Sequence, residues 1–265
     1  MNRCQEIERS IIKKFRPTLW HPFVKAINDY KLIDENDKIA VCISGGKDSF
    51  LLAKCLEELQ KHGKIKFDLE YIIMNPGYTD EVLDKIKNNL KLLNIDARIF
   101  ESPIFKVVSK EKNPCYLCAK MRRGYLYNYA KELGCNKIAL GHHFDDVLET
   151  ILMNLIYNGM YAGMMPKLKS DNFDGMELIR PLYLVREDSI LDWAGYNQLS
   201  FIDCACTVTK KNIGKRKEMK TLVKTLKEYY IDADRNLFNS LSNVKLDKVI
   251  TYFEDNEKHN FLDKY

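Results

Sequence analysis

The sequence predicts an α/β fold, a parallel doubly wound sheet covered by helices on both faces, with helical extensions at its two ends. Two observations carry this expectation. Short β-branched runs alternate with stretches of helical period between Ile39 and Leu182, the signature of strands joined by crossover helices. The first run, Ile39-Ala-Val-Cys-Ile43, passes through Ser44-Gly45-Gly46-Lys47-Asp48-Ser49 into an apolar helical pattern from Phe50 to Leu59, which reads as strand, tight turn, helix.

Each element follows from its residues. The chain has 265 residues, 46% of them hydrophobic and 30% charged, enough for one large domain with extensions and a substantial core. We divide it into a helical lead-in over residues 1–34, a main domain over 35–207 and a basic, mainly helical C-terminal region over 208–265. In the lead-in, Ile7, Ile11, Ile12 and Phe15 form one face, Pro17 and Pro22 interrupt it, and Val24, Ile27 and Tyr30 resume it. After the first helix, His62-Gly63 is a stop. A second strand covers 69–74 and breaks at Asn75-Pro76-Gly77. A helix with Val82, Leu83, Ile86, Leu90 and Leu93 as its buried stripe follows, then a short strand at 97–101. A helix from about Ala119 to Leu133, a strand at Lys137–Leu140, a helix continuing from Val147 to Ile156, a long loop over 158–176, a strand at 177–182 and a helix at 189–195 complete the main domain.

Three stretches carry chemistry. Two glycines between a strand and a helix let the backbone turn closely, so that amide N–H groups converge with the positive end of the helix dipole on a phosphate. The spacing differs from the Walker pattern, which needs four residues between its first Gly and a Gly-Lys-Ser/Thr. Within the loop, Ser44, Ser49 and Lys47 suit a polyphosphate and Asp48 suits Mg2+ or its water shell. The strand at 137–140 ends in Gly141-His142-His143-Phe144-Asp145-Asp146, two imidazoles and two carboxylates able to bind a metal or orient phosphate; a plain helix cap accounts for only one of these acids. Between Val208 and Tyr229, eight Lys/Arg face two Glu, a net +6 that leaves −1 for the remainder of the +5 chain. Such a run fits either a solvated helix face or a polyanion partner. Arg122 and Arg123 open a helix, where the dipole disfavours cations unless an anion lies nearby.

Eight cysteines in a chain without a signal-like apolar N-terminus point away from a disulfide scaffold and toward a metal, a cluster or redox chemistry. Cys42 and Cys55 read as core thiols, while Cys4 and Cys135 are isolated. Cys115 with Cys118, and Cys204 with Cys206, form two close pairs. By spacing alone these four suit a tetrahedral zinc site and an iron–sulfur cluster equally well. No apolar run approaches the roughly 18 residues of a membrane span, so no membrane partner and a cytoplasmic location are expected.

The loop at 44–49 resembles the SGGxDS loop of the ATP-pyrophosphatase (PP-loop) superfamily. Cys115-x-x-Cys118, Met121–Tyr127, Lys137–Asp146, Met165–Asp171 and Ile179–Leu182, in that order, resemble the tRNA 2-thiocytidine synthetase family more than the related 2-thiouridine synthetases. The resemblance implies an adenine nucleotide alpha hydrolase-like PP-loop domain that binds ATP and Mg2+, and a [4Fe-4S] cluster held by Cys115, Cys118 and Cys204, with Cys206 as the alternative third ligand. It implies ATP contacts at Ser44, Gly45, Gly46, Lys47, Asp48, Ser49, Met74, Gly141 and Asp146. Catalytic roles fall to Lys47, Asp48, His142 and Asp145, with His143 beside them. The implied reaction is adenylylation of a base carbonyl, cytidine C2 being the first choice, and then sulfur transfer. The implied partners are tRNA and a sulfur donor, either a cysteine desulfurase or inorganic sulfide, and a homodimer is compatible with the sequence.

Two departures bear on this. The later cysteine pair has one intervening residue where the family has two, and the chain passes from Met74-Asn75 straight to Pro76-Gly77 where the family has a longer acidic segment. A PP-loop ATPase acting on uridine or a small molecule with a structural zinc, and a non-catalytic iron–sulfur tRNA-binding protein, are the alternatives. An intact phosphate loop together with 142–146 argues against the latter, because a pure binder needs neither.

Overall fold

The computed structural model describes residues 2–108, 114–202, 212–255 and 257–264. In chain order the main elements are α1 (Arg3–Ile12), α2 (His21–Asp29), β1 (Lys38–Cys42), α3 (Lys47–His62), β2 (Asp68–Asn75), α4 (Asp80–Leu92), β3 (Ala97–Glu101), α5 (Ile104–Val108), α6 (Pro114–Glu132), β4 (Lys137–Ala139), α7 (Phe144–Asn158), β5 (Lys167–Lys169), β6 (Glu177–Ile179), α8 (Glu187–Tyr196), α9 (Asn212–Tyr229), α10 (Ala233–Asn239), β7 (Thr251–Glu254) and β8 (Glu257–Asn260).

Six strands form one sheet in the order β3-β2-β1-β4-β6-β5. The first five run parallel, with Val41 opposite Tyr71 on one side and Ala139 on the other, and β5 closes the edge antiparallel to β6. Both faces are covered, as the alternation of strands and helices requires. Along β1, Ile39 and Val41 join a core built with α1, α2, α3, α7 and α8, while Ala40 and Cys42 face the core under α6. Cys42 and Cys55 are buried thiols, as expected.

The order of connection reverses between β1 and β4, so the carboxyl ends of these neighbours splay apart and open a crevice where ligands of such sheets bind. The phosphate loop follows β1 and the 141–146 stretch follows β4. Sheet topology therefore brings together two segments nearly a hundred residues apart in the chain.

The lead-in packs into the main core through Ile7, Ile11, Leu19 and Phe23. Its prolines do not break it: Pro17 and Pro22 stand in the first turns of a short π-helix (Arg16–Trp20) and of α2, where a missing N–H costs nothing. One local expectation is corrected and two are extended: α6 begins at Pro114 rather than near Ala119, so Arg122 and Arg123 stand in its third turn and not its first. The loop over 158–176 contains β5, a three-residue edge strand whose flanking lysines discourage further pairing. The C-terminal region holds a hairpin of β7 and β8 as well as helices, because Thr251-Tyr-Phe favours strand and Asp255 turns at φ +48°.

Candidate active site at the β1–β4 crevice

Gly45 adopts φ +92°, and a Cβ there would lie 2.8 Å from Ile202 Cδ1 and 3.1 Å from Ile86 Cγ1, so both conformation and space demand glycine. Gly46 then caps α3, whose first-turn N–H groups open into the crevice. Ser49 closes the loop from within. Its hydroxyl donates to Gly46 O at 2.9 Å and accepts from the Ser44 N–H at 3.1 Å, with Ser44 Oγ 3.3 Å away.

Lys47 Nζ lies 3.2 Å from Asp48 Oδ1 and 3.1 Å from Glu187 Oε1 at the start of α8. Burial works to discharge this lysine, but Asp48 and Glu187 outweigh it and raise its pKa. Asp48 is raised as well, chiefly by burial, with His143 and Lys47 opposing.

The second segment meets the first at Gly141. A Cβ on this residue would stand 3.0 Å from both Asp48 C and Ser49 N, so glycine is what lets the end of β4 lie against the first turn of α3. His143, buried at the start of α7, joins the two segments. Its Nε2 lies 3.9 Å from Asp48 Oδ1 and 3.5 Å from Asp146 Oδ2, and its Nδ1 lies 3.7 Å from Asp145 Oδ2. Asp146 accepts the His143 N–H at 3.0 Å and pairs through its other oxygen with Arg216 of α9 at 3.1 Å. Burial pushes this carboxyl up, yet His143, His142, the His143 N–H and Arg216 hold it below its usual value. Asp145 accepts the Glu187 N–H at 2.8 Å and so caps α8.

His142 points differently. Its Nδ1 accepts from Arg180 Nε at 3.3 Å, and burial, with Arg180 adding and Asp146 opposing, drives its pKa down to about 4. It is a neutral imidazole near neutral pH, and among the residues of the 142–146 stretch it is His143 that lies against Asp48. Glu149, one turn further along α7, is pushed up to about 7 by burial and by Asp146, with Arg216 opposing.

Of the sequence-expected residues, the structure gathers Ser44–Ser49, Gly141, His142, His143, Asp145 and Asp146 into this crevice. Met74, near the carboxyl end of β2, packs in a small cluster with Ile104 and Cys118. Cys115 and Cys118 stand one turn apart at the start of α6; Cys118 is buried, and the Cys115 side chain lies outside the described atoms. Cys204 and Cys206 lie outside the described residues, and no group of three or more metal-ligating side chains occurs among those described. Glu187 and Glu149 are not singled out by the sequence, and Arg180, Arg216 and Lys220 stand there only in a family-like stretch and in the basic run, not at this crevice. Only Glu187 carried a local signal, as an acid in a helix's first turn, and its partners come from distant segments.

An α/β sheet with a Gly-Gly loop and a polar cluster facing each other at the switch point defines a nucleotide-binding PP-loop protein, and the PP-loop domain family matches residues 18–212. Among similar chains, the tRNA-cytidine(32) 2-sulfurtransferase of Coxiella burnetii is 37% identical over 257 residues, covering 94% of this chain and 96% of that protein. The protein of the same name from Paraburkholderia phymatum is 40% identical over 83% of this chain, which spans 66% of its length. The chain belongs to the tRNA-cytidine(32) 2-sulfurtransferase family. The fold is shared with the U34-tRNA thiolase NcsA from Methanococcus maripaludis with its [4Fe-4S] cluster, at a TM-score of 0.67 and 24% identity, over 85% of this chain and 79% of that one. No helix among the described residues is long and apolar enough to cross a membrane.

Proposed function

We propose that this chain is an ATP-dependent tRNA sulfurtransferase that activates the C2 carbonyl of a cytidine by adenylylation and replaces its oxygen with sulfur. The observation that carries this reading is the junction of the 44–49 loop with His143 and Asp146 across the crevice, in a chain whose relatives act on tRNA cytidine. The base oxygen attacks the α-phosphorus of ATP, the bond from that phosphorus to the bridging oxygen breaks, and pyrophosphate leaves. A sulfur nucleophile then adds at C2, the C2–O bond breaks, and AMP departs with the oxygen. Adenylylation is what turns a poor leaving oxygen into a good one.

The protein's part is positioning and charge stabilisation. The N–H groups of α3 and Lys47 hold the polyphosphate. Asp48 and Asp146 fit Mg2+: both are hard oxygen donors, and Asp48 Oδ1 is buried, accepts no well-formed hydrogen bond and is met by the Lys47 ammonium at 3.2 Å. His142, neutral, is an acceptor or a neutral donor near the transferred group, and Asp145 keeps α7 and α8 in register around it. Gly141 gives the two halves their close approach, and Met74 borders the adenosine side.

The residues at the start of α6 fit a thiolate-held [4Fe-4S] cluster. Cys115 and Cys118 share one helical turn at the carboxyl edge of the sheet, and one turn beyond Cys118 the Arg122 guanidinium lies against the Phe105 ring with its buried Nε making no hydrogen bond, a cation suited to a thiolate-held, negatively charged group. Cys115, Cys118 and Cys204, or Cys206 in its place, would hold the cluster, which when bound supplies an iron open to a sulfur ligand. The sulfur comes from a cysteine desulfurase or from inorganic sulfide. The chain works in the cytoplasm, where tRNA is, and a homodimer is compatible with this function.

Mass spectrometry of tRNA nucleosides from cells with and without this protein tests the reading. Loss of a thiolated cytidine is expected. Loss of a thiolated uridine would move the target base, and an unchanged nucleoside pool would overturn the proposal.

A further inference from the structure

Helix α9 is the most basic described segment, yet much of its charge is paired with acids of neighbouring elements. Arg216, Lys220 and Lys227 fall on one stripe and meet acids of the main body or of α10: Arg216 meets Asp146, Lys220 meets Glu187, and Lys227 meets Asp234 at 2.9 Å. Asp234 in turn binds Arg186, the residue before Glu187, at 2.5 Å. The start of α8 is thus fastened to both C-terminal helices.

Glu187 holds one carboxylate oxygen against Lys47 and the other against Lys220. Lys47 is the phosphate-loop cation, and before nucleotide binds it is shared between Asp48 and Glu187. An incoming polyphosphate must compete with Glu187 for that ammonium. With Lys220 in place, the charge on Glu187 is already largely compensated. Without it, Glu187 grips Lys47 harder and repels the phosphates.

We propose that Glu187 and Lys220 are positioning residues for the ATP step: Lys220 neutralises Glu187 so that Lys47 is free to pass to the phosphates. The C-terminal basic helix is then part of the nucleotide site. This rests on the ATP reading of the 44–49 loop.

The test is equilibrium binding of a non-hydrolysable α,β-methylene ATP analogue with Mg2+ to the full chain. Lys220→Met is expected to weaken binding about fivefold, the scale of one partly buried ion pair. Glu187→Gln binds as well as the parent or better, and the double variant returns to the Glu187→Gln value. Lys220→Arg, which keeps the charge, binds like the parent. A double variant as weak as Lys220→Met would overturn the proposal, because Lys220 would then act without Glu187; so would an unchanged Lys220→Met, or a Glu187→Gln chain that loses affinity. If Lys220→Met does not fold, the Glu187→Gln and Lys220→Arg results decide. Failure of the parent chain to bind the analogue overturns the ATP reading itself, a separate outcome.

Discussion

Gly141→Ala is the smallest change that tests the junction between the two halves of the site. The added methyl would stand 3.0 Å from Asp48 C and Ser49 N and 3.1 Å from Asp48 O. All three are backbone atoms in the first turn of α3, so no side chain can swing away, and relief needs β4 and α3 to separate by several tenths of an ångström. Overpacking of this kind costs about 1–3 kcal/mol. In a chain of this size each 1 kcal/mol lowers the melting temperature by about 2–4 °C. The larger effect is on geometry: pushing α3 away from Gly141 also moves Asp48 from His143, now 3.9 Å apart. We expect thermal unfolding a few degrees lower, and Mg-ATP affinity reduced by more than the stability loss alone explains. Calorimetry and analogue binding measure the two. A Gly141→Ala chain with the parent's melting temperature and affinity would refute the close approach on which the site is built.

Other predictions follow from the same contacts. His142 has its pKa lowered to about 4 from 6.5, so the unfolded chain takes up its proton first; the stability this group contributes is full above about pH 6.5 and is lost as pH falls toward 4. Urea unfolding of His142→Asn should therefore show a shallower acid loss than the parent, and parallel curves would sink the assignment. Glu149 is raised to about 7 from 4.5, the opposite sign: its contribution is full below the unfolded value and is lost as pH rises through about 7. Glu149→Gln should stabilise the chain at about pH 8 and scarcely at about pH 4.5, and an equal effect at both would contradict it. Cys118→Ala should abolish the roughly four irons and the broad absorption near 400 nm expected of anaerobically reconstituted protein, while Cys204→Ala against Cys206→Ala names the third ligand. Stoichiometric zinc without iron would remove the cluster from the proposal. Lys217 and Lys224 are exposed and without ion pairs among the described residues, so alanine at either should lower the salt slope of tRNA binding by about one, whereas Lys227→Ala should chiefly loosen α9 from α10.

What was legible in the sequence was whatever repeats locally. The period-2 run of β1, the glycine pair after it and the helical stripe beyond give strand, turn and helix from adjacent residues alone. The alternation of such units implies a parallel sheet and hence a binding edge. The 142–146 block was visible as polar density at a strand end. Its internal division was not: that His143 rather than His142 lies against Asp48 depends on the rotation of α7's first turn against α3, which no local pattern encodes. β5 was missed because three residues on an edge, with lysines at both ends, look like loop. The β7–β8 hairpin was hidden by the charged residues around it, although Thr251-Tyr-Phe and an Asp at the turn were there to read.

Charge was the least legible quantity, and α9 shows why. Composition counts a lysine as one free positive charge wherever it stands, so a net +6 over 208–229 reads as a surface for a polyanion. In the fold the same segment divides by helical period. Positions 216, 220 and 227 turn toward Asp146, Glu187 and Asp234, while Lys215 lies over the Tyr157 ring at 4.4 Å. Lys217 and Lys224 remain as exposed cations with neither an ion pair nor a ring contact among the described residues of the helix. A carboxylate-rich nucleotide site needs compensating cations before a polyphosphate will enter it, and α9 supplies them. On the function proposed above, the same helix meets RNA on its outer stripe and holds the acids of the ATP site on its inner one, so that loosening α9 should weaken both steps together.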